Sequence, residues 1–278
     1  ELFAPKRIVQ WTPVFGLYNR PGTFADCPGL HNRCFFDRNR SNVAAADAVT
    51  FHGPDIFKSS DLPSAQDRSH KQRYVFMTME SPESTFAQYK IKMKTDNYYN
   101  WTMTPLFSSD VLAKYGGFWL SPEEAKKKGI QAANSHYVFN ASSFMNKIPS
   151  IFALISNCET SSKREAALKE INKHFNVTIA GSCALDPKMK KLCPKNEDVK
   201  CEEEINKYAF FFSGENAACR DYVTEKYWTR INLSSILIIL KRSDYMNVNM
   251  PPHSVIALDD FESPQAMSKY LEYLVKNE

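Results

Sequence analysis

The sequence lacks any apolar run long enough to cross a bilayer. Its longest, Ile236 to Leu240 with its neighbours, is far shorter than the roughly 20 residues that a spanning helix needs. Glu1 opens no signal peptide, and the 35 Lys and Arg residues are spread along the chain and not gathered in one block. A net charge of +4 is then compatible with an anionic small ligand and a poor match to a dedicated nucleic-acid binder, which would show a basic stripe or a known module. These absences predict a soluble chain.

Two ligand-binding motifs are also missing. No Gly-x-Gly-x-x-Gly follows any strand-like segment, which argues against a dinucleotide oxidoreductase. The cysteines in the Lys- and Glu-rich segment 182–207, which are Cys183, Cys193 and Cys201, have no histidine at zinc-ligand spacing. We therefore predict a disulfide-stapled excursion in this segment and no metal site.

The chain does contain seven cysteines and five Asn-x-Ser/Thr sequons, which together favour a secretory compartment. The short loop from Cys27 to Cys34 can close as one disulfide, or its two cysteines can pair elsewhere. The sequence alone leaves the connectivity open, and an odd count leaves at least one thiol without an internal partner.

The densest group of polar residues follows the apolar run Tyr208 to Phe212, which has the pattern of a strand buried on both faces. Asp221 is predicted to cap the next helix, with Glu225 in its first turn and a buried stripe of Val223, Tyr227 and Ile231. A further apolar run at 235–240 completes a βαβ unit. In such units, ligands bind at the carboxyl ends of the strands, where helix N–H groups favour anions.

A second βαβ unit precedes this one. Ile151 to Ile155 is a predicted strand, Arg164 to Phe175 a helix and Val177 to Ala180 the next strand. The carboxyl ends of parallel strands share one edge, so the two units bring two polar loops together there. The candidate residues at that edge all follow a strand and carry polar or charged groups: Ser156, Asn157, Arg164, Glu215, Asn216, Tyr222, Glu225 and Lys226.

In the amino-terminal half, Glu80 is the first residue after the strand-like run Tyr74 to Met79, and Pro82 prevents the strand from continuing. A carboxylate half buried at a strand end suits a general base that works near neutral pH, but judged on this chain alone the pattern favours a carboxylate that caps the next turn. Aromatic and small polar residues alternate at 98–102, as on sugar-binding surfaces, but such aromatics also belong to cores. His52 can face a ligand or lie in a plain turn.

With 278 residues the chain can bury one large core or two smaller ones. We predict two domains, 1–148 and 149–278, with the boundary between Asn146 and Ser150.

Taken together, these segments resemble the α-1,3-fucosyltransferases of glycosyltransferase family ten, invertebrate members in particular. The matching pieces occur in family order from about residue 7 to the end: Trp11-Thr12-Pro13, Met79-Glu80-Ser81-Pro82, Asn100-Trp101-Thr102, Ser109-Asp110, Ser156-Asn157-Cys158, Glu215-Asn216, Asp221-Tyr222-Val223-Thr224-Glu225-Lys226, Pro251-Pro252-His253-Ser254 and Asp259-Asp260-Phe261.

The resemblance implies an α/β fold of two Rossmann-like domains facing across a cleft, of the GT-B type: an acceptor-side domain and a GDP-fucose-binding domain. It implies an inverting transfer of fucose to a GlcNAc hydroxyl of a glycan on a glycoprotein or glycolipid, with Glu80 of the other domain as base and no cofactor or metal. Arg164, Lys226 and the amides around Tyr222 would stabilise the diphosphate. Glu225 would lie near the fucose or ribose, and Asn216 would bind the donor.

The resemblance also implies a Golgi-lumen enzyme whose membrane anchor precedes Glu1, and a carboxyl-terminal family segment that this sequence does not show. The chain departs from the family at Gly214 and Ala217, where an aromatic residue and a serine are common, and at Thr104-Pro105-Leu106. These departures keep a second hypothesis open, a glycan- or nucleotide-binding pseudoenzyme of the same fold.

Overall fold

The structure is a computed structural model of the 278-residue chain. It describes residues 4–19, 24, 29, 33–56, 61–64, 66, 68–88, 97–117, 122–127, 141–193, 198–248, 250, 251 and 253–277. Cys27 and Pro252 lie outside the described residues.

The chain forms two compact units, residues 1–114 and 115–278. Our prediction assigned residues 115–148 to the first domain, whereas in the structure they belong to the second unit. One reason for the difference is Phe144, on the short helix before the second sheet, which is buried in the hydrophobic core of the second unit. The sequence carried no sign of this long-range contact.

Unit 1 contains a six-stranded parallel sheet in the order β2-β1-β3-β4-β5-β6. The strands are β1 Lys6–Gln10, β2 Cys34–Asp37, β3 Ala48–His52, β4 Arg73–Met77, β5 Trp101–Thr104 and β6 Val111–Leu112. One face of the sheet carries the core of the unit, in which Val9, Val49, Phe51, Tyr74 and Phe76 are buried.

Unit 2 contains a five-stranded parallel sheet in the order β11-β10-β9-β7-β8. The strands are β7 Ile148–Leu154, β8 Val177–Ala180, β9 Tyr208–Phe212, β10 Ile236–Ile239 and β11 Val255–Ala257. Every residue of β9 is buried, as its continuous apolar sequence predicts for a central strand covered on both faces. The α/β fold class and both predicted βαβ units are confirmed.

The described helices are mostly short. They are α1 Pro122–Lys127, α2 Ala141–Met145, α3 Arg164–Ile171, α4 Pro187–Lys190, α5 Asp198–Ile205, α6 Glu225–Trp228 and α7 Pro264–Lys276. In α7 the Ser263 hydroxyl accepts a hydrogen bond from the Ala266 amide, and Pro264 takes the first helical position, where its missing N–H costs nothing. Met267 and Leu271 of α7 are buried against the sheet. Within the described ranges no helix is both long and apolar enough to cross a membrane.

Two disulfides lie in unit 2, Cys158–Cys183 and Cys193–Cys201. The second confirms the predicted staple inside 182–207. The first joins the loop after β7 to the loop after β8, so it fixes the carboxyl edge of the sheet.

We expect the Cys158–Cys183 disulfide to stabilise unit 2 more than the Cys193–Cys201 disulfide does. The first closes a separation of 25 residues and the second one of 8, and in the chain-entropy account a longer loop costs the unfolded state more, about 3.5 against about 2.5 kcal/mol. Urea unfolding of the double-serine variant of each pair would measure this. Equal losses, or a larger loss at Cys193–Cys201, would contradict the expectation.

Candidate active site

The polar loops of unit 2 meet where the strand order reverses. β7 comes first in the sheet, β8 lies on one side of it and β9 on the other, so the chain leaves β7 and β9 in opposite directions. Open α/β sheets bind ligands in the crevice at such a point, beyond the carboxyl ends of the strands. The loop after β7 carries Ser156 and Asn157, and the loop after β9 carries Glu215 and Asn216.

Hydrogen bonds join these two loops directly. The Ser162 amide donates to the Asn216 carbonyl at 3.2 Å, and the Ser162 hydroxyl donates to the Glu215 carbonyl at 2.7 Å. Arg164, only 3% exposed, donates from Nη1 to the Gly214 carbonyl at 2.8 Å and from Nη2 to the Asn157 carbonyl at 3.2 Å. The predicted convergence of the two loops is therefore present, and the Arg164 guanidinium is one of the groups that hold it.

Glu215, Thr224 and Lys226 form a buried polar cluster just beyond β9. Glu215 is 5% exposed, and its carboxylate accepts hydrogen bonds from the Thr224 amide at 2.8 Å and from the Thr224 hydroxyl at 2.8 and 2.9 Å. Lys226 Nζ lies 3.4 Å from Glu215 Oε2. Burial raises the pKa of Glu215, against the opposing pull of Lys226 and Thr224. This cluster fixes the shape of the loop and holds the Lys226 ammonium near the switch point.

Glu225 is the exposed counterpart of Glu215. Its side chain is 56% exposed, and its Oε1 lies 3.1 Å from Lys226 Nζ. Partial burial works to raise the pKa of Glu225, but the Lys226 ammonium outweighs it, and the pKa is lowered. Lys226, with a side chain 30% exposed, thus connects a buried carboxylate to one that faces solvent.

The predicted helix start at Asp221 was wrong. Asp221 has a positive φ of 67°, and α6 begins four residues later, with Thr224 as the capping residue. The Asp221 amide donates to the Asp244 carbonyl at 2.8 Å, and Asn247 Nδ2 donates to Asp221 Oδ1 at 2.9 Å. Asp221 therefore anchors the loop instead of starting a helix.

The backbone amides around Tyr222 already donate hydrogen bonds to other groups of the protein. The Tyr222 amide donates to the Cys219 carbonyl, that of Val223 to the Asp221 carbonyl, and that of Thr224 to Glu215. The expectation that these amides bind a diphosphate stays a prediction, and in this structure the tight turn uses them for hydrogen bonds inside the protein. The Tyr222 side chain is 2% exposed and packs edge-on against Tyr115.

In the described part of the loop after β9, Ser213 Oγ and Asn216 Oδ1 are both buried without a hydrogen-bond partner, and Asn216 is the one of the two that we predicted to bind the nucleotide sugar. Its Oδ1 is buried, yet it has no hydrogen-bond partner among the described residues. Leaving a buried acceptor unpaired costs about 1–3 kcal/mol, so such an atom at a ligand-binding edge indicates that a donor arrives from outside the protein.

Ser156 and Asn157 are exposed at the same edge. Gly181, at the end of β8, has a φ of +88°, and a Cβ placed on it would lie 2.7 Å from the Ile155 carbonyl oxygen and 3.2 Å from Ser156 Oγ. The backbone after β8 therefore packs directly against the residues that carry Ser156, which only glycine allows.

Glu80 lies in unit 1, three residues after β4 ends at Met77. Its amide donates to the Thr78 hydroxyl at 3.1 Å, and the Thr78 and Thr85 hydroxyls are 3.0 Å apart. Ser81 is fully buried and accepts a hydrogen bond from the Ser84 amide at 3.1 Å. These bonds hold the turn that carries Glu80 in one conformation.

A cavity of about 440 Å³ opens beside Glu80, within unit 1. It is lined by Glu80, Thr78, Thr104, Tyr99 and Phe86, among others. Burial raises the pKa of Tyr99 to about 12, and its hydroxyl has no partner among the described residues. A mixture of aromatic rings, hydroxyls and one carboxylate is what a saccharide, with apolar faces and polar edges, requires.

Two family models match the chain. "Fucosyltransferase, N-terminal" covers residues 4–116, and "Glycosyltransferase family 10 (fucosyltransferase) C-term" covers residues 144–278. Among curated proteins, the chain is 31% identical to alpha-(1,3)-fucosyltransferase fut-6 of Caenorhabditis elegans, over 91% of this chain and 60% of that protein. It is 31% identical to alpha-(1,3)-fucosyltransferase C of Drosophila melanogaster, over 84% and 54%. The chain thus spans little more than half the length of these two relatives.

The fold also matches solved structures. A crystal structure of an alpha1,3-fucosyltransferase with GDP-fucose superimposes with a TM-score of 0.59 at 15% identity, over 98% of this chain and 79% of that one. Another, with GDP, gives 0.56 at 16% identity, over 100% and 80%. The two parallel sheets are consistent with the predicted GT-B type of α/β fold. With both family models matched, in order, along most of its length, the chain belongs to glycosyltransferase family 10, the fucosyltransferases.

Proposed function

We propose that this chain transfers fucose from GDP-fucose to a GlcNAc hydroxyl of a glycan, forming an α-1,3 linkage with inversion. Family membership supports the reaction class. The observation that supports the GDP-fucose site is the switch point of unit 2, where the segment between β9 and β10 carries both the unpaired buried Oδ1 of Asn216, in the loop after β9, and the Lys226 ammonium, in the first turn of α6. The Asn216 side chain would accept a hydrogen bond from GDP-fucose. Ser156, Asn157 and Tyr222 would border the bound GDP-fucose.

The leaving diphosphate needs positive charge, which we assign to Lys226 and Arg164. The Lys226 ammonium is partly exposed and already held by the Thr224 hydroxyl at 3.0 Å, so it is oriented before the donor binds. A guanidinium has five N–H donors, and Arg164 can bind a phosphate oxygen while still holding the two loops. Fixed cations of this kind stabilise charge that develops on a leaving group. On this account no metal and no cofactor takes part.

Glu80 would act as the general base. The acceptor hydroxyl oxygen forms a bond to C1 of fucose, the bond from C1 to the β-phosphate oxygen breaks, and the hydroxyl proton passes to the Glu80 carboxylate. The electron pair of the broken bond leaves with GDP. The cavity beside Glu80 would hold the acceptor sugar, with Tyr99 and the threonine hydroxyls on its polar groups. Glu225, which is ionised because Lys226 lowers its pKa, would offset positive charge on the fucose ring or bind the ribose.

The proposal extends to location and partners. The sequons and the two disulfides fit a secretory compartment, and we place the enzyme in the Golgi lumen, held by an anchor outside this sequence. Its acceptor would be a glycan on a glycoprotein or glycolipid, and no nucleic acid would take part.

GDP should raise the melting temperature of the protein, and NAD should not. A ligand that binds only the folded state stabilises it by about 2.7 kcal/mol at 100 times its Kd. Differential scanning fluorimetry with each nucleotide at equal concentration checks this. If the nucleotide contacts the Asn216 side chain, the Asn216→Asp variant should show a smaller increase in melting temperature with GDP than the parent protein does. A shift with NAD alone would contradict the proposal.

One observation favours a second candidate, a nucleotide-binding protein without turnover. A Cβ at Gly214 would lie 2.4 Å from Cε1 of the Phe212 ring, so the aromatic residue that relatives commonly carry there does not fit beside Phe212. The donor loop is therefore packed differently at this residue. Release of GDP from GDP-fucose, with and without acceptor, separates the candidates: GDP binding without release in either case would establish the binding protein.

A further inference from the structure

A further cavity lies within unit 2, at the edge of the sheet opposite the candidate GDP-fucose site. Its volume is about 500 Å³, in the range of small-ligand sites. It is lined by residues 231–237, which lead into β10, and by Pro251, His253 and Ser254, which come just before β11. The strands run from this edge towards the candidate site, and the length of β10 separates the two by about 10 Å. A group bound in this cavity therefore does not obstruct the nucleotide.

Asn232, which lines this cavity, is the first residue of the sequon Asn232-Leu233-Ser234, one of five in the chain. Asn232 is exposed, and its side chain makes no hydrogen bond within the described part of the chain. The side chains of Asn39 and Asn100, which begin two other sequons, instead accept hydrogen bonds from backbone amides. The Asn232 amide nitrogen is thus available for a covalent modification at the mouth of a cavity.

The segments that border the cavity are held by hydrogen bonds of their own. The Ser234 amide and hydroxyl both donate to Asn206 Oδ1, at 2.8 and 2.9 Å, and the Ser234 hydroxyl accepts from Lys147 Nζ at 2.8 Å. Before β11, the Ser254 hydroxyl donates to the Pro251 carbonyl at 2.7 Å. Because these segments are already ordered, a group that enters the cavity orders little more of the chain.

The lining combines apolar and polar groups. Ile231, Leu233 and Pro251 contribute apolar surface. His253 is exposed, and its ring makes no hydrogen bond to any other described residue. A neutral imidazole offers one donor and one acceptor. An N-acetylated sugar has the matching combination, because its ring faces and methyl group are apolar and its hydroxyl and amide groups are polar.

The cavity also reaches α6, through Tyr227. Tyr227 is 1% exposed, and its ring packs edge-on against Trp228 at 5.1 Å and Tyr245 at 5.4 Å. It follows Glu225 and Lys226 directly in the same four-residue helix. A group in the cavity would add contacts to this short helix and so stabilise the unit that contains it.

We propose that Asn232 carries an N-linked glycan whose first GlcNAc occupies this cavity and stabilises unit 2. In the modification, Asn232 Nδ2 forms a bond to C1 of GlcNAc and the amide proton passes to water. The bond from C1 to a phosphate oxygen of a lipid diphosphate-linked oligosaccharide breaks, and its electron pair leaves with the lipid diphosphate. The covalent link keeps the sugar beside the cavity at a high effective concentration, so weak contacts are enough to seat it. The inference rests on the proposed secretory location and not on fucosyl transfer.

The test begins with the parent chain secreted from a host that adds high-mannose glycans. Enzymatic deglycosylation in heavy-oxygen water, followed by peptide mass spectrometry, should show Asn232 to be glycosylated. Asn232→Gln should then lower the melting temperature by about 2–4 °C, the scale of a small contact loss in a domain of this size. Trimming the parent with an endoglycosidase that leaves one GlcNAc at each site should not lower it, because the first sugar supplies the contacts.

Asn176→Gln is the matched control. Asn176 begins another sequon, is exposed, and comes directly before β8 at the same edge of the sheet, but it does not line the cavity. Loss of its glycan should leave the melting temperature unchanged. His253→Asn is a second variant, since Asn tolerates the positive φ of 58° at this position. It should lower the melting temperature in the glycosylated parent and have less effect in the Asn232→Gln background.

Four results would overturn the inference. An unmodified Asn232 beside other glycosylated sequons would remove the site, and equal melting temperatures of the parent and Asn232→Gln would leave its glycan in solvent. An equal loss in Asn176→Gln, or a loss on trimming to one GlcNAc, would assign the stabilisation to glycans outside the cavity. A secreted chain with no glycan at any sequon would remove the inference together with its secretory premise. Fucosyl transfer is measured separately, so its absence would count against the proposed function alone.

Discussion

Replacing Glu80 by Gln should lower kcat for fucosyl transfer by about 100- to 10,000-fold, the usual contribution of a general base. The amide keeps the size of the side chain and cannot take a proton from the acceptor. The turn should keep the hydrogen bonds from the Glu80 amide to the Thr78 hydroxyl and from the Ser84 amide to the Ser81 hydroxyl, because neither uses the replaced carboxylate oxygens. Initial rates with labelled GDP-fucose at saturating acceptor measure the loss.

Glu83 provides the matched control for this prediction. It is exposed and lies three residues further along the same segment, so Glu83→Gln removes the same charge from nearly the same place. We expect its kcat to stay within twofold of the parent, and both variants to keep the thermal shift with GDP. An active Glu80→Gln would assign the base to another group, and a Glu80→Gln chain that no longer binds GDP would show that the substitution acts on more than proton transfer.

Local sequence patterns predicted the strands of unit 2 well. The β-branched run Val177–Ala180 and the aromatic run Tyr208–Phe212 are strands with the bounds their composition indicates. Continuous apolar runs of this length specify buried parallel strands through burial alone, so no distant contact was needed to recognise them. With the two strands in place, the convergence of their polar loops followed from sheet geometry.

The loop that carries the site could not be predicted in the same way. Asp221 and Thr224 both belong to the residue types that cap helices, and sequence alone offers no reason to choose between them. Tertiary contacts make the choice: Asp221 is held by Asp244 and Asn247, while the Thr224 amide is held by Glu215. Which donors remain for a ligand depends on these distant bonds. The sequence likewise could not predict that the buried nitrogens Gln10 Nε2 and His52 Nε2 have no hydrogen-bond partner among the described residues, because hydrogen-bond partners are set by the folded structure.

Glu215→Ala should lower the free energy of unfolding by about 3–5 kcal/mol at pH 5. The substitution leaves the buried amide and hydroxyl of Thr224 without an acceptor, at about 1–3 kcal/mol for each unpaired group, and adds a cavity. Glu225→Ala is the control. Glu225 contacts the same Lys226 ammonium from an exposed position, where an ion pair contributes about 0–1 kcal/mol. Urea unfolding of the three proteins measures both losses.

The same two variants also test how the stability contributed by each carboxyl group changes with pH. Burial raises the pKa of Glu215 above its ordinary value of 4.5, so around that pH the folded chain binds more protons than the unfolded chain. The stability that Glu215 provides is then complete below pH 4.5 and decreases as pH rises through the folded pKa. The difference in free energy of unfolding between the parent and Glu215→Ala should therefore decrease from pH 4 towards pH 8. The pKa of Glu225 is lowered in the folded chain, so the difference between the parent and Glu225→Ala should increase slightly as pH rises above 4. A gap to Glu215→Ala that grows with pH would mean that the ion pair with Lys226 outweighs burial, and that the carboxylate is ionised when the donor binds.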